Sequence, residues 1–159
     1  MDYLFEKVIN IILNNEGGYC WHKDDPGGET KYGISARNFP NENIKNLTED
    51  RAKELYYINY WVPLNLSGIN NSELVLQIFD FAVNAGMNRA IKFVQEIAGV
   101  EVDGAMGPIT KKAINEYKLD IVELYKHRRR KYYRELAKKR SEMKVFLKGW
   151  LKRIDNTHF

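Results

Sequence analysis

A single cysteine, Cys20, stands among 159 residues, so no internal disulfide can form and the fold does not depend on an oxidising compartment. With only three histidines, scattered like the cysteine, no metal-ligand spacing arises, and neither a metal nor another cofactor is expected. No run approaches the roughly 20 apolar residues of a membrane span. The N-terminal stretch MDYLFEKVINIILNNEGG lacks a basic leader and a cleavage site, and Glu6, Lys7 and Asn10 interrupt its apolar residues. These absences predict a soluble protein made in the cytoplasm, which needs help to leave if it acts outside the membrane. Internal repeats, low-complexity tracts and long linkers are missing too. The expectation is one integrated domain over residues 1–159.

Hydrophobic residues make up 44% of the chain, enough for a real core, and aromatics reach 13% with ten Tyr and three Trp. Such rings pack into cores and also stack on sugars. The formal charge of +4 implies polyanionic partners: nucleic acid, anionic lipid or a bacterial wall. Charge alone does not choose among these.

The pattern predicts a mainly α fold with a small β-hairpin or irregular lobe near residues 19–36. Residues 3–15 carry Leu4, Phe5, Val8, Ile9, Ile12 and Leu13 on one wide face, and Gly17-Gly18 end that helix. Asp24-Asp-Pro-Gly-Gly28 is a turn signal, with Thr30 to Ile34 behind it. Thr48 caps a helix to about Tyr60, stopped by Pro63, and Ser72 caps another that Gly86 closes. A helix starts at Asn88 and ends at Gly99. Pro108 sits in the first turn of the next. Helices over about 120–139 and 141–154 complete the set, with Asp120 and Ser141 as caps. Phe146, Trp150 and Ile154 mark a buried stripe on the last of them.

Chemistry concentrates in Glu16-Gly-Gly-Tyr19 and Asp24 to Ile34. Glu16 ends an apolar helix, where the negative end of the dipole and the apolar face both disfavour an ionised carboxylate. A group that donates a proton near neutral pH needs that environment. Asp25 lies in a polar, Gly-rich turn that favours its charged form. Two carboxyl groups in contrasting surroundings are the acid/base signature of glycosidases. An ordinary helix end followed by an ordinary turn accounts for the same residues, and Thr30 and Tyr32 suit a strand on propensity alone.

EGGY followed by DDPGGETKYGI resembles the opening of glycoside hydrolase family 108, which comprises bacterial and phage N-acetylmuramidases. The likeness continues through YINYW (57–61), FDFAVNAG (79–86), Gln95 with VDGAMGPIT (102–110), and FLKGWLKR (146–153). It implies a lysozyme-like helical fold with a catalytic half, 1–88, and a peptidoglycan-binding half, 89–159. It also implies hydrolysis of the β-1,4 bond between N-acetylmuramic acid and N-acetylglucosamine, with Glu16 as the catalytic acid. Phage lysozymes, which are similar more broadly, place Asp and Thr behind that Glu, and Asp25 and Thr30 fall at comparable spacing. Cys20 to Lys23 depart from the pattern, where smaller polar residues are usual.

Tyr19 and Tyr32 flank the active segment as candidate sugar contacts. Asp80 and Asn84, one turn apart, are candidates for the cleft floor, with the polar edge of a core helix as the competing reading. Lys126 to Arg140 carries nine Lys or Arg residues. This run suits a solvated helix face or attraction to an anionic wall or membrane better than nucleic acid, which is not expected as a partner. Peptidoglycan is the expected partner and a monomer the expected state. The alternatives are a lytic transglycosylase and a non-catalytic wall-binding or secretion-associated protein. Without a leader, release through a holin or another pore is implied for an endolysin-type role.

Overall fold

Burial of one apolar face starts the fold. In helix α1, Tyr3–Asn15, the residues Phe5, Val8, Ile9, Ile12 and Leu13 are buried, and the Asp2 side chain accepts from the Leu4 N–H at 2.9 Å to cap the first turn. The structure, a computed structural model, describes residues 2–16, 18–21 and 28–159. Gly17, His22, Lys23 and most of the expected turn, Asp25 included, lie outside the described residues. The chain divides into two compact units, Met1–Asn59 and Tyr60–Phe159. That division comes earlier than the junction of two halves expected at residues 88–89.

In the first unit a two-stranded antiparallel hairpin follows α1: β1, Thr30–Lys31, pairs with β2, Ile34–Ser35, in the register Thr30↔Ser35 and Lys31↔Ile34. Cys20 extends the ladder through a bridge to Thr30. A short 3₁₀ turn, Ile44–Asn46, leads to α2, Glu49–Tyr56, which Thr48 caps as expected by accepting from the Arg51 N–H at 3.2 Å. The helical run does not stop near Tyr60. It widens into a π turn over Tyr57–Trp61 and continues as the single turn α3, Val62–Leu64, ending on Asn65 at φ +52°. The extra residue of a π turn lets Pro63 fall in a fresh first turn, where its missing N–H removes no bond.

The second unit is built around α4, Ser72–Ala85, in which every residue from Leu74 to Ala82 is buried. Its cap is Asn71, whose Oδ1 accepts from the Leu74 N–H at 3.0 Å, and not Ser72 as expected. Helix α5, Met87–Ala98, begins one residue ahead of the expected Asn88 and ends on Gly99 at φ +71°. Pro108 opens α6, Pro108–Asn115. Asp120 caps α7, Ile121–Lys139, by accepting from the Glu123 N–H at 3.0 Å. Ser141 does not cap a helix; it opens a 3₁₀ turn, Ser141–Met143, from which α8 runs over Lys144–Asn156.

Aromatic contacts knit this unit. Phe81 stacks on Phe93 and meets Tyr125, Tyr132 and Tyr133 edge-on. Tyr133 then stacks on Trp150 with centroids 4.9 Å apart, and Phe146 lies 5.8 Å beyond. The expected buried stripe of α8 is therefore corrected: Ile154 is fully buried, but Phe146 is 52% exposed. Its column of rings runs outward from the core, so the last member reaches solvent.

Candidate active site

Glu16 follows the last turn of α1 in extended backbone (φ −92°, ψ 142°), its N–H bonded to the carbonyls of Ile12 and Leu13 at 3.2 Å each. The helix thus delivers this partly buried side chain to the edge of the β-hairpin, a placement that the apolar face of α1 enforces. Tyr32 and Gly33 form the two-residue turn of that hairpin, at φ +53° and +74°. Positive φ at both positions is what a type I′ hairpin requires, because its twist matches that of the strands. Gly33 accepts this without cost. Tyr32 does not, and its carbonyl is held by the Tyr56 hydroxyl, which donates at 3.0 Å.

Gly33 has a second reason to lack a side chain. A Cβ there would meet the Tyr56 hydroxyl and lie only 3.0 Å and 3.1 Å from Cδ and Cγ of Glu16. The carboxyl of Glu16 therefore rests on the glycine of the turn, beside a buried tyrosine hydroxyl. Gly33→Ala is expected to combine backbone strain with this collision. It should destabilise the protein by about 1–3 kcal/mol and reduce wall hydrolysis by more than the loss of folded protein explains. Thermal unfolding and a turbidity assay on purified walls, run on one preparation, check this.

Thr30 lies in β1, exchanging backbone hydrogen bonds with Cys20 at 2.8 Å each. Tyr19 donates its hydroxyl to Glu29 at 2.7 Å, and that carboxylate holds the Tyr19 phenol above its ordinary value, so it stays protonated. Trp21 is 58% exposed on the same extended segment. Glu16, Tyr19, Thr30 and Tyr32 thus share the first unit with the hairpin. Asp25 lies outside the described residues.

Asp80 and Asn84 lie on α4. Asp80 is fully buried, and both oxygens are engaged: Oδ2 accepts from Arg129 at 2.6 Å, and Oδ1 from Arg153 at 3.0 and 2.9 Å. Arg129, also fully buried, donates in addition to Gln77 at 2.6 Å. This is an ion cluster that joins α4, α7 and α8. A fully buried carboxylate presents no surface to a glycan, so the contact expected of Asp80 is corrected to a role in the fold. Asn84 is exposed, its amide donating to the Asp80 carbonyl at 2.9 Å.

The loop before α6 is organised by a buried glutamine. Gln95 Nε2 donates to Asp103 Oδ1, the Ala105 carbonyl and Thr110 at 2.8, 3.0 and 3.1 Å, and its Oε1 accepts from the Gly104 N–H at 2.9 Å. Hydrogen bonds from the Ala105 N–H and from Gln95 hold the Asp103 carboxyl below its ordinary value. The loop is thus a tightly tied backbone. The basic run is also only partly a surface feature. Arg129 is inside, Arg128 lies over the Phe93 ring and bonds Glu96 at 3.0 Å, and Arg130 bridges Glu123 and Asp155.

Residues 9–86 match the family model described as Glycosyl hydrolase 108, and residues 89–155 the one described as Predicted Peptidoglycan domain. Residues 9–86 belong to glycosyl hydrolase family 108. With the peptidoglycan-domain segment behind it, the chain is a glycoside hydrolase directed at peptidoglycan. The solved structure of Brucella abortus SagA is similar to it, with a TM-score of 0.80 and 28% identity over 96% of this chain and 90% of that one. None of the curated proteins matches the chain in sequence. The family 108 segment contains Glu16, the hairpin and Tyr56.

Sequence reasoning passed over Tyr56, Gly33 and Glu29. Gly33 carried a usable signal, since Tyr-Gly between two β-prone pairs is a hairpin turn. Tyr56 carried none, because one tyrosine in a helix cannot show which distant carbonyl it will bond.

Proposed function

We propose that the protein is an N-acetylmuramidase of endolysin type that cleaves the β-1,4 bond between N-acetylmuramic acid and N-acetylglucosamine, with Glu16 as general acid. The observation that carries this reading is the Glu16 carboxyl resting on the Gly33 turn beside the Tyr56 hydroxyl, within a family 108 segment. Glu16 donates its proton to the glycosidic oxygen as the bond from C1 breaks. Water then adds to C1 and returns a proton to the site. Asp25 is the proposed second carboxylate, stabilising the oxocarbenium-like centre or activating that water, and Thr30 helps to position it. A carboxyl separation of about 6.5–9.5 Å means inversion of configuration, and about 5–5.5 Å means retention.

Tyr19, kept protonated, and Tyr32 are proposed sugar contacts, and Asn84 presents an exposed amide for the same purpose. The exposed cations of α7, such as Lys131 and Arg134, draw the protein towards an anionic wall. The protein acts as a monomer on the cell wall after release through a holin or another pore.

Mass spectrometry of digested peptidoglycan tests the reaction. New reducing muramic ends are expected. A 1,6-anhydro end would show a lytic transglycosylase instead, and no cleavage in a zymogram would show a binding protein. Asp25→Asn should lower turnover strongly if this carboxylate is the partner; unchanged turnover would remove it from the mechanism.

A further inference from the structure

The first turns of α8 expose what a folded protein normally covers. Val145 is 76% exposed and Phe146 52%, side by side at the corner between α7 and α8. Phe146 cannot fold inward, because Trp150 and Tyr133 already occupy the column behind it. Lys144, Lys148 and Lys152 recur every four residues, so they form one exposed stripe along α8 that borders Val145. Lys138 and Lys139 add to it at the exposed end of α7.

The nearby acids are already engaged. Glu142 pairs with Arg140 at 3.0 Å and Asp155 with Arg130 at 3.0 Å. Among the described residues no ion pair engages Lys144, Lys148 or Lys152. The corner therefore combines uncompensated positive charge with two apolar tips on a rigid helix.

We propose that this corner is a docking surface for an anionic lipid bilayer, with the lysines on the headgroup phosphates and Val145 and Phe146 dipping into the interface. Charge alone would fit any polyanion, including wall polymers. The apolar tips favour the bilayer, because the aliphatic Val145 offers a sugar ring no face to stack on, while the acyl boundary of a bilayer covers both tips. Lysines at a negative membrane surface attract it, and partition of an apolar side chain adds a salt-insensitive part. The surface lies on α8 in the second unit, whereas Glu16 belongs to the first. It therefore concerns where the protein gathers and not how it cleaves.

Sedimentation of the full-length protein with vesicles tests this, using phosphatidylglycerol with phosphatidylethanolamine, and phosphatidylcholine as the neutral control. Binding is expected to the anionic vesicles only and to weaken with salt. Replacing Lys144, Lys148 and Lys152 together with Gln should weaken it by about 100-fold. The double variant V145S/F146S should weaken it at least about tenfold while keeping every charge. Binding that V145S/F146S leaves unchanged would overturn the proposal in favour of plain polyelectrolyte adsorption, and so would equal binding to neutral vesicles or none to anionic ones. Unfolding temperature and hydrolysis of solubilised peptidoglycan, measured on the same variants, should stay at wild-type values. These readouts keep a failure of membrane docking distinct from a failure of the muramidase reading.

Discussion

Glu16→Gln is expected to abolish wall lysis and leave the fold intact. The glutamine matches glutamate in size, keeps the extended backbone at the end of α1 and still fits against Gly33, but it has no proton to give to a leaving oxygen. A positioned general acid contributes about 10²- to 10⁴-fold to turnover, and a glycosidic bond departs poorly without one. Release of muropeptides from purified walls should fall by at least about 100-fold, with the circular dichroism spectrum and unfolding temperature unchanged. Retained muramidase activity in a folded Glu16→Gln protein would remove Glu16 from the reaction. The neighbouring Gly33→Ala change sharpens the interpretation. It leaves the carboxyl in place chemically but crowds it, so it should lower activity less than the loss of the acid and stability more.

The second large effect is expected at Asp80, in stability. Asp80→Asn keeps the shape of the side chain but removes the charge that faces Arg129 and Arg153. Arg129 is fully buried, and its Nε already has no hydrogen-bond partner among the described residues. Breaking a buried pair from one side leaves an uncompensated charge in the interior, which costs about 3–5 kcal/mol. For a chain of this length that corresponds to a drop in unfolding temperature of about 6–20 °C. The pair itself need not be net stabilising, since both ions lose water on folding. Its value lies in joining three helices with a fixed geometry. The measurement also separates the two roles considered for Asp80. A glycan contact would raise KM with an unchanged unfolding temperature, whereas the ion cluster predicts the reverse. A stable Asp80→Asn protein with weakened substrate binding would contradict the structural assignment.

Much of this fold was legible along the chain, for local reasons. Helix α1 was found within its bounds because its apolar residues repeat at helical spacing. Thr48, Asp120 and Pro108 marked helix starts correctly because caps act within three residues. Where structure and sequence pattern part, the cause is not local. Pro63 suggests an end to the helix that Thr48 caps, yet a π turn absorbs it. Ser72 and Asn71 are both good caps, and the sequence offers no way to rank them. Phe146 shares a helical repeat with Ile154, but a period cannot say where along a stripe the partner helix ends.

The candidate site divides the same way. A carboxylic acid at the end of an apolar helix, with a short β segment behind it, was determined by the sequence itself through periodicity and strand propensity. Family likeness gives Glu16 its proposed role. Only the tertiary structure decided what surrounds that acid: the turn at Tyr32-Gly33, the glycine on which the carboxyl rests, and the Tyr56 hydroxyl arriving from a helix 24 residues along the chain from Tyr32. It also decided that Asp80 answers two arginines, 49 and 73 residues away. Residues this far apart meet because of how helices pack, and packing depends on the summed burial of many side chains. No single position or spacing in the chain encodes it.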